Sequence, residues 1–141
     1  MLPRSDPLAG QAASTPLVIV ASSGTGGDIQ PFIALAQGLQ QRGRRVLLLV
    51  PGWQEAAAQA SRLPYHTFGS AAEGQAMLGD PSLWDERKGW GLVWRGLVPH
   101  LDAMRGIVQG LPDAEDCVVL CHPFLVPMAA LARSVRPDLR I

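Results

Sequence analysis

Two short segments carry residues able to do chemistry. In "SSGTGGD" (residues 22–28) an acid, Asp28, closes a glycine-rich turn, and in "HPFLVP" (122–127) an imidazole, His122, follows an apolar run. A carboxylate at the mouth of a cleft, within hydrogen-bond reach of a hydroxyl, acts as a general base, and a neighbouring histidine binds substrate or assists it. Each residue also has a structural reading. As an N-cap, Asp28 accepts a backbone N–H and stabilises the following helix by about 1 kcal/mol; His122 caps the helix after it. On residue chemistry alone both readings stand.

The glycine-rich turn is not a P-loop, because no GxxxxGK[ST] is present, and Ile29 stands where a dinucleotide fingerprint needs its third glycine. A helix N-terminus does offer backbone N–H groups to a phosphate. A carboxylate at Asp28 repels a phosphate at that spot.

The elements around these loops follow from hydropathy. Residues 16–22, 45–51, 64–68 and 117–121 are short apolar runs bounded by turn residues, as expected of strands buried on both faces of a parallel sheet. Helices are expected from the first glycine-rich turn to Gly43, with Pro31 in the first turn, and over 53–62 and 123–135. Trp90, Trp94, Val98, Leu101 and Val108 recur at helical steps, which predicts one amphipathic helix over 89–109 with Trp94 packed into the core. The stretch from 69 to 88 has no steady period and is expected to be irregular, with a turn at Gly79, Asp80 and Pro81. Residues 1–15 read as a flexible leader. "LRI" (139–141) reads as the start of one more strand, so the chain is expected to be part of a longer polypeptide.

Alternating strands and helices imply right-handed crossovers and a Rossmann-like, doubly wound α/β sheet with helices on both faces. In the order 3-2-1-4-5, ligands bind beyond the carboxyl ends of the strands, where the order reverses. The loops that flank this point hold Asp28 and His122. Topology alone therefore brings the two residues to one crevice.

Composition narrows the partners. The chain has 141 residues with 12 basic and 12 acidic side chains, so no net field attracts nucleic acid. No apolar stretch approaches the roughly 18 residues that span a bilayer, and the N-terminus lacks a signal-peptide core, so a cytoplasmic location is expected. Cys117 and Cys121 would sit on one face of a strand, about 13 Å apart at roughly 3.3 Å per residue. That is too far for a mutual disulfide, and they read as buried apolar thiols. No metal or cofactor site is expected.

"GTGGDIQPFIALAQGLQQRGRRVLLL" (24–49) closely resembles the N-terminal signature of GT-B glycosyltransferases of the family 1 and 28 kind, in which a "GSxGDxxP" turn precedes "ALAxGLxxRGHxV". Arg44 stands where that pattern commonly has histidine. "GDPSLWDERKGWGLVWRGLVPHLDAM" (79–104) is similar to the corresponding segment of the rhamnolipid rhamnosyltransferases and their relatives. The resemblance implies an inverting transferase that uses a nucleoside-diphosphate sugar as co-substrate. Residues 16–141 would be part of the acceptor-binding domain, and the C-terminal donor domain lies outside this chain, so this piece alone is expected to be inactive.

By the same resemblance Asp28 is the base that deprotonates an acceptor hydroxyl. Gly26, Gly27, His122, Met77, Trp84, Trp90 and Phe124 would bind the acceptor, and Gly24 and Thr25 would contact the donor. An apolar acceptor, lipid-like or a secondary metabolite, suits aromatic and aliphatic walls. Peripheral contact with the inner membrane and self-association through an unpaired terminal strand are further expectations. Peptidoglycan-type N-acetylglucosaminyltransferases carry histidine at the position of Asp28, so the turn leaves acceptor class open. A non-catalytic Rossmann-like module that binds a nucleotide or a partner is the alternative from another class.

Overall fold

The computed structural model describes residues 15–141; the expected leader, apart from Thr15, lies outside the described residues. Strands β1 (Leu17–Ala21), β2 (Arg45–Pro51), β3 (Tyr65–Phe68) and β4 (Cys117–Cys121) pair in parallel in the order β3-β2-β1-β4. This is the doubly wound order read from the sequence. An isolated parallel bridge between Val118 and Arg140 lays the end of the chain beside β4, at the place where the sequence predicts an extra strand.

The strands are apolar without alternation because both faces are covered. Leu17, Ile19 and Ala21 join Leu47, Leu49, Cys117 and Val119 in one cluster, while Val20 joins Val46, Leu48 and Val50 in the other. Helix α1 (Gly26–Gln41) buries Ile29, Ile33 and Ala36 against the second face, where Ala58 of α2 (Glu55–Ser61) also packs. The first face is covered by Met104 and Val108 of α5 (Ala103–Gln109) and by Met128, Ala129 and Ala132 of α6 (Val126–Ala132). Fully burying one such aliphatic side chain stabilises the fold by roughly 1.5–3 kcal/mol. Cys117 and Cys121 are both free and share one strand face; Cys117 is buried in the first cluster, whereas Cys121, expected to be buried as well, is only partly buried and packs against it at the end of the strand.

Four local expectations are corrected. The segment expected to be irregular contains helix α3 (Ala71–Leu78), whose N-terminus is closed by a capping box between Ser70 and Glu73; the "SAAE" run that encodes it is in the sequence. The single helix over 89–109 is instead α4 (Gly89–Leu97), a 3-10 turn (Val98–His100) and α5. Pro99 lacks an N–H and its ring meets the preceding turn, so the helix breaks there. Pro31 stands inside α1 rather than in its first turn, because the helix starts at Gly26.

The fourth correction concerns Trp94, which is 43% exposed rather than packed in the core, with Trp90 and Val98 also exposed along the same stripe. Gly89 and Leu97 are buried instead. A Cβ at Gly89 would overlap the Leu83 carbonyl, so α4 turns its glycine toward the 3-10 turn Pro81–Trp84 and its tryptophans outward.

Candidate active site

The site is built where β1 and β4 end side by side. Beyond β1, the buried Ser22 extends the ladder by donating its N–H to the Leu49 carbonyl at 3.0 Å, and its hydroxyl donates to the Asp28 carbonyl at 3.0 Å. Beyond β4, the N–H of His122 donates to the Ala21 carbonyl at 2.9 Å. Ladder continuation thus places His122 at the root of the glycine-rich turn. Gly24 sits at φ +118°, and a Cβ there would overlap the Asp28 carboxylate. Only glycine both takes this backbone and admits the carboxylate.

Asp28 is the third residue of α1, and Thr25, not Asp28, is the N-cap. The carboxylate reaches back as one half of a capping box. Oδ2 accepts from the Thr25 N–H at 2.8 Å and from the Thr25 hydroxyl at 3.0 Å. Oδ1 faces Nε2 of His122 at 3.9 Å, so the two residues that topology predicts to converge do so. His122 also fulfils its capping role: Nδ1 accepts the Phe124 N–H at 3.2 Å, at the start of a 3-10 turn (Pro123–Leu125). Its ring lies 4.7 Å from that of Phe124 and 6.1 Å from that of Phe32, centroid to centroid.

A cavity of about 210 Å³ opens at this turn. Ser23, Gly24, Thr25 and Asp28 form its polar end, and Asp28 is the one charged side chain in the lining. The walls are apolar: Met77 and Leu78 from α3, Leu83 and Trp84 from the 81–84 turn, Val93 and Leu97 from α4, with Trp53, Phe68 and Phe124 between them. A space of this kind takes an apolar body and presents one reactive end to a carboxylate.

Of the residues singled out from sequence, Asp28, Gly24, Thr25, Met77, Trp84 and Phe124 line this cavity. Trp90 lines a neighbouring hollow that shares Trp84 and Phe124, and its ring meets Phe124 edge-on at 5.1 Å. His122 stands behind Asp28. Gly26 and Gly27 form the exposed first residues of α1.

Trp53 enters the sequence reading only as the start of a helix. Its indole N–H donates to the Gly24 carbonyl at 3.1 Å, and Gln54 Nε2 donates to the same oxygen at 3.3 Å. Trp53 thus braces the turn that carries Asp28. It sits in a single 3-10 turn (Gly52–Gln54) that leads into α2, and nothing in the local pattern signals that role.

A second carboxylate–imidazole pair ties the cavity wall together. Glu73 of α3 meets His100 Nε2 at 3.0 Å, and His100 lies on the turn between α4 and α5. The hydrogen bonds from Ser70, then that from His100, hold the Glu73 carboxyl below its usual value. Burial pushes the Cys117 thiol up to about 11, so it carries no thiolate nucleophile at neutral pH. Among the described residues no group of His, Cys, Asp and Glu is placed to hold a metal ion.

Residues 18–101 match the model of the glycosyltransferase family 28 N-terminal domain. No curated protein matches the chain.

Proposed function

The chain belongs to the glycosyltransferase family 28 N-terminal domains, and from that premise we propose that residues 16–141 bind the acceptor in an inverting sugar transfer with Asp28 as the base. The observation that carries this reading is the Asp28 carboxylate at the polar end of an otherwise apolar cavity. The acceptor hydroxyl gives its proton to Asp28, and its oxygen forms a bond to the anomeric carbon. The bond from that carbon to the phosphate oxygen breaks, and the nucleoside diphosphate leaves with the electron pair. Inversion follows from attack opposite the leaving group.

The apolar walls support a lipid-like or secondary-metabolite acceptor, with Met77, Trp84 and Phe124 around its body and Trp90 at the mouth. Gly24 and Thr25 are the proposed donor contacts. A further, C-terminal domain would hold most of the nucleoside-diphosphate hexose. No helix among the described residues is long and apolar enough to cross a membrane. Exposed Trp84, Trp90 and Trp94 lie beside Arg87, Lys88 and Arg95, with the acids Asp85 and Glu86 in the same stretch; the exposed aromatic rings are what supports peripheral contact with the inner membrane.

The test joins this chain to a donor-binding half. Asp28→Asn is expected to lower kcat by about 10²–10⁴, the usual yield of a general base, with acceptor KM nearly unchanged. Normal turnover in that variant would sink the base assignment. For the chain alone, a long-chain alcohol that covers Trp53 and Trp84 should shift the tryptophan emission to the blue saturably, and an unsaturable response would remove the acceptor site.

A further inference from the structure

We infer that His122 is a hydrogen-bond donor of fixed tautomer that positions Asp28 and cannot itself be the base. Nδ1 accepts the Phe124 N–H at 3.2 Å. A ring nitrogen that accepts carries no proton, so the neutral imidazole holds its proton on Nε2. Nε2 is the atom turned to Asp28 Oδ1 at 3.9 Å. Neither nitrogen of neutral His122 is then free to take a proton from a substrate.

The ring is held in this orientation from several sides. Its backbone N–H is bonded to Ala21, its side chain is 18% exposed, and it lies against the rings of Phe32 and Phe124. Turning it over would forfeit the bond that caps the 123–125 turn, which carries Phe124 into the cavity wall.

The two oxygens of Asp28 therefore have different work. Oδ2 is anchored by the two donors of Thr25, and Oδ1 faces His122 and takes the acceptor proton. His122 keeps its Nε2 proton through the step and aims the carboxylate. The gap of 3.9 Å is longer than a hydrogen bond and closes when acceptor fills the cavity, as catalytic contacts do on substrate binding. This role rests on the reading of Asp28 as base; the tautomer does not.

Ring 15N NMR of the 141-residue chain, at a pH where His122 is neutral, tests the tautomer directly. The expected pattern is an unprotonated Nδ1 and a protonated Nε2; in Asp28→Asn the tautomer persists while the Nε2 resonance moves. A protonated Nδ1, or an Nε2 resonance indifferent to Asp28→Asn, overturns the inference. Turnover of the chain joined to a donor half supplies the second readout. His122→Gln, with an amide N–H near the place of Nε2, should recover about tenfold in kcat over His122→Phe at similar acceptor KM. If His122→Gln is no more active than His122→Phe, an N–H donor at this place is not what the step needs and the assignment falls. Full turnover in Asp28→Asn overturns the base reading, and with it the positioning role, whatever the NMR shows.

Discussion

The indole N–H of Trp53 donates to the Gly24 carbonyl at 3.1 Å, joining the turn after β2 to the turn after β1. The same indole lines the cavity, so one side chain touches both the apolar wall and the backbone under Asp28. Trp53→Phe keeps a ring and removes the donor. Loss of one hydrogen bond, with Gln54 still donating at 3.3 Å, should cost about 0.5–1.5 kcal/mol. Urea unfolding should show a lower midpoint with unchanged slope, together with amide shift changes across residues 24–28. An unperturbed Gly24–Asp28 segment would show that the bond does not brace the turn.

The opposite face of Trp53 meets α3. A Cβ on Gly74 would come within 2.5 Å of Trp53 ring atoms near its attachment point, where the side chain has no freedom to swing aside. Gly74→Ala should therefore push Trp53 away from Gly24, at a cost of roughly 1–3 kcal/mol from overpacking. Although alanine is the better helix former by up to about 1 kcal/mol, the overlap decides the sign. The check is a paired measurement: lower thermal stability, and a smaller blue shift of tryptophan emission on adding a long-chain alcohol. A stabilised Gly74→Ala protein would mean that α3 does not press on Trp53.

Much of this site is legible in the sequence because its placement follows from chain order. Continuous apolar runs identify the buried parallel strands, their order sets the switch point, and the switch point brings Asp28 to His122. The cavity wall is less legible for local reasons. The Ser70–Glu73 capping box marks α3, yet the helix is short and its apolar positions make no clear stripe. Trp90 and Trp94 imitate a buried stripe, but the close approach of Gly89 to Leu83 turns them outward. Trp53 acts through a tertiary hydrogen bond across 29 residues, which no periodicity encodes.

Glu73 offers a pH test of that wall. Hydrogen bonds from Ser70 and His100 lower its folded pKa below the usual 4.5, so the unfolded chain binds a proton first as pH falls. The stabilisation is fully present above about 4.5 and is lost as pH drops through the lowered folded value. Glu73→Gln keeps a capping side chain and removes the charge. The gap in urea midpoint between wild type and Glu73→Gln should be open at about pH 6 and should close progressively below about 4.5. A gap that stays constant down to about pH 3 would show that the charge adds nothing to the cap.

Asp28 joins two functions that substitution can separate. Its carboxylate closes the capping box of α1 by accepting from the Thr25 N–H and hydroxyl, and the proposed chemistry needs the same group ionised. Asparagine retains an oxygen that accepts these bonds but cannot take a proton; alanine loses both. Asp28→Ala should therefore lower stability by about 0.5–2 kcal/mol, the range for a lost cap, and Asp28→Asn by a small part of that. Both variants should be equally impaired in turnover once joined to a donor half. Thermal unfolding and kcat measured on the same two proteins decide the matter. If activity tracks stability, with asparagine active and alanine not, the carboxylate serves only to start the helix; if asparagine is stable and inactive, the cap and the base are separate properties of one side chain.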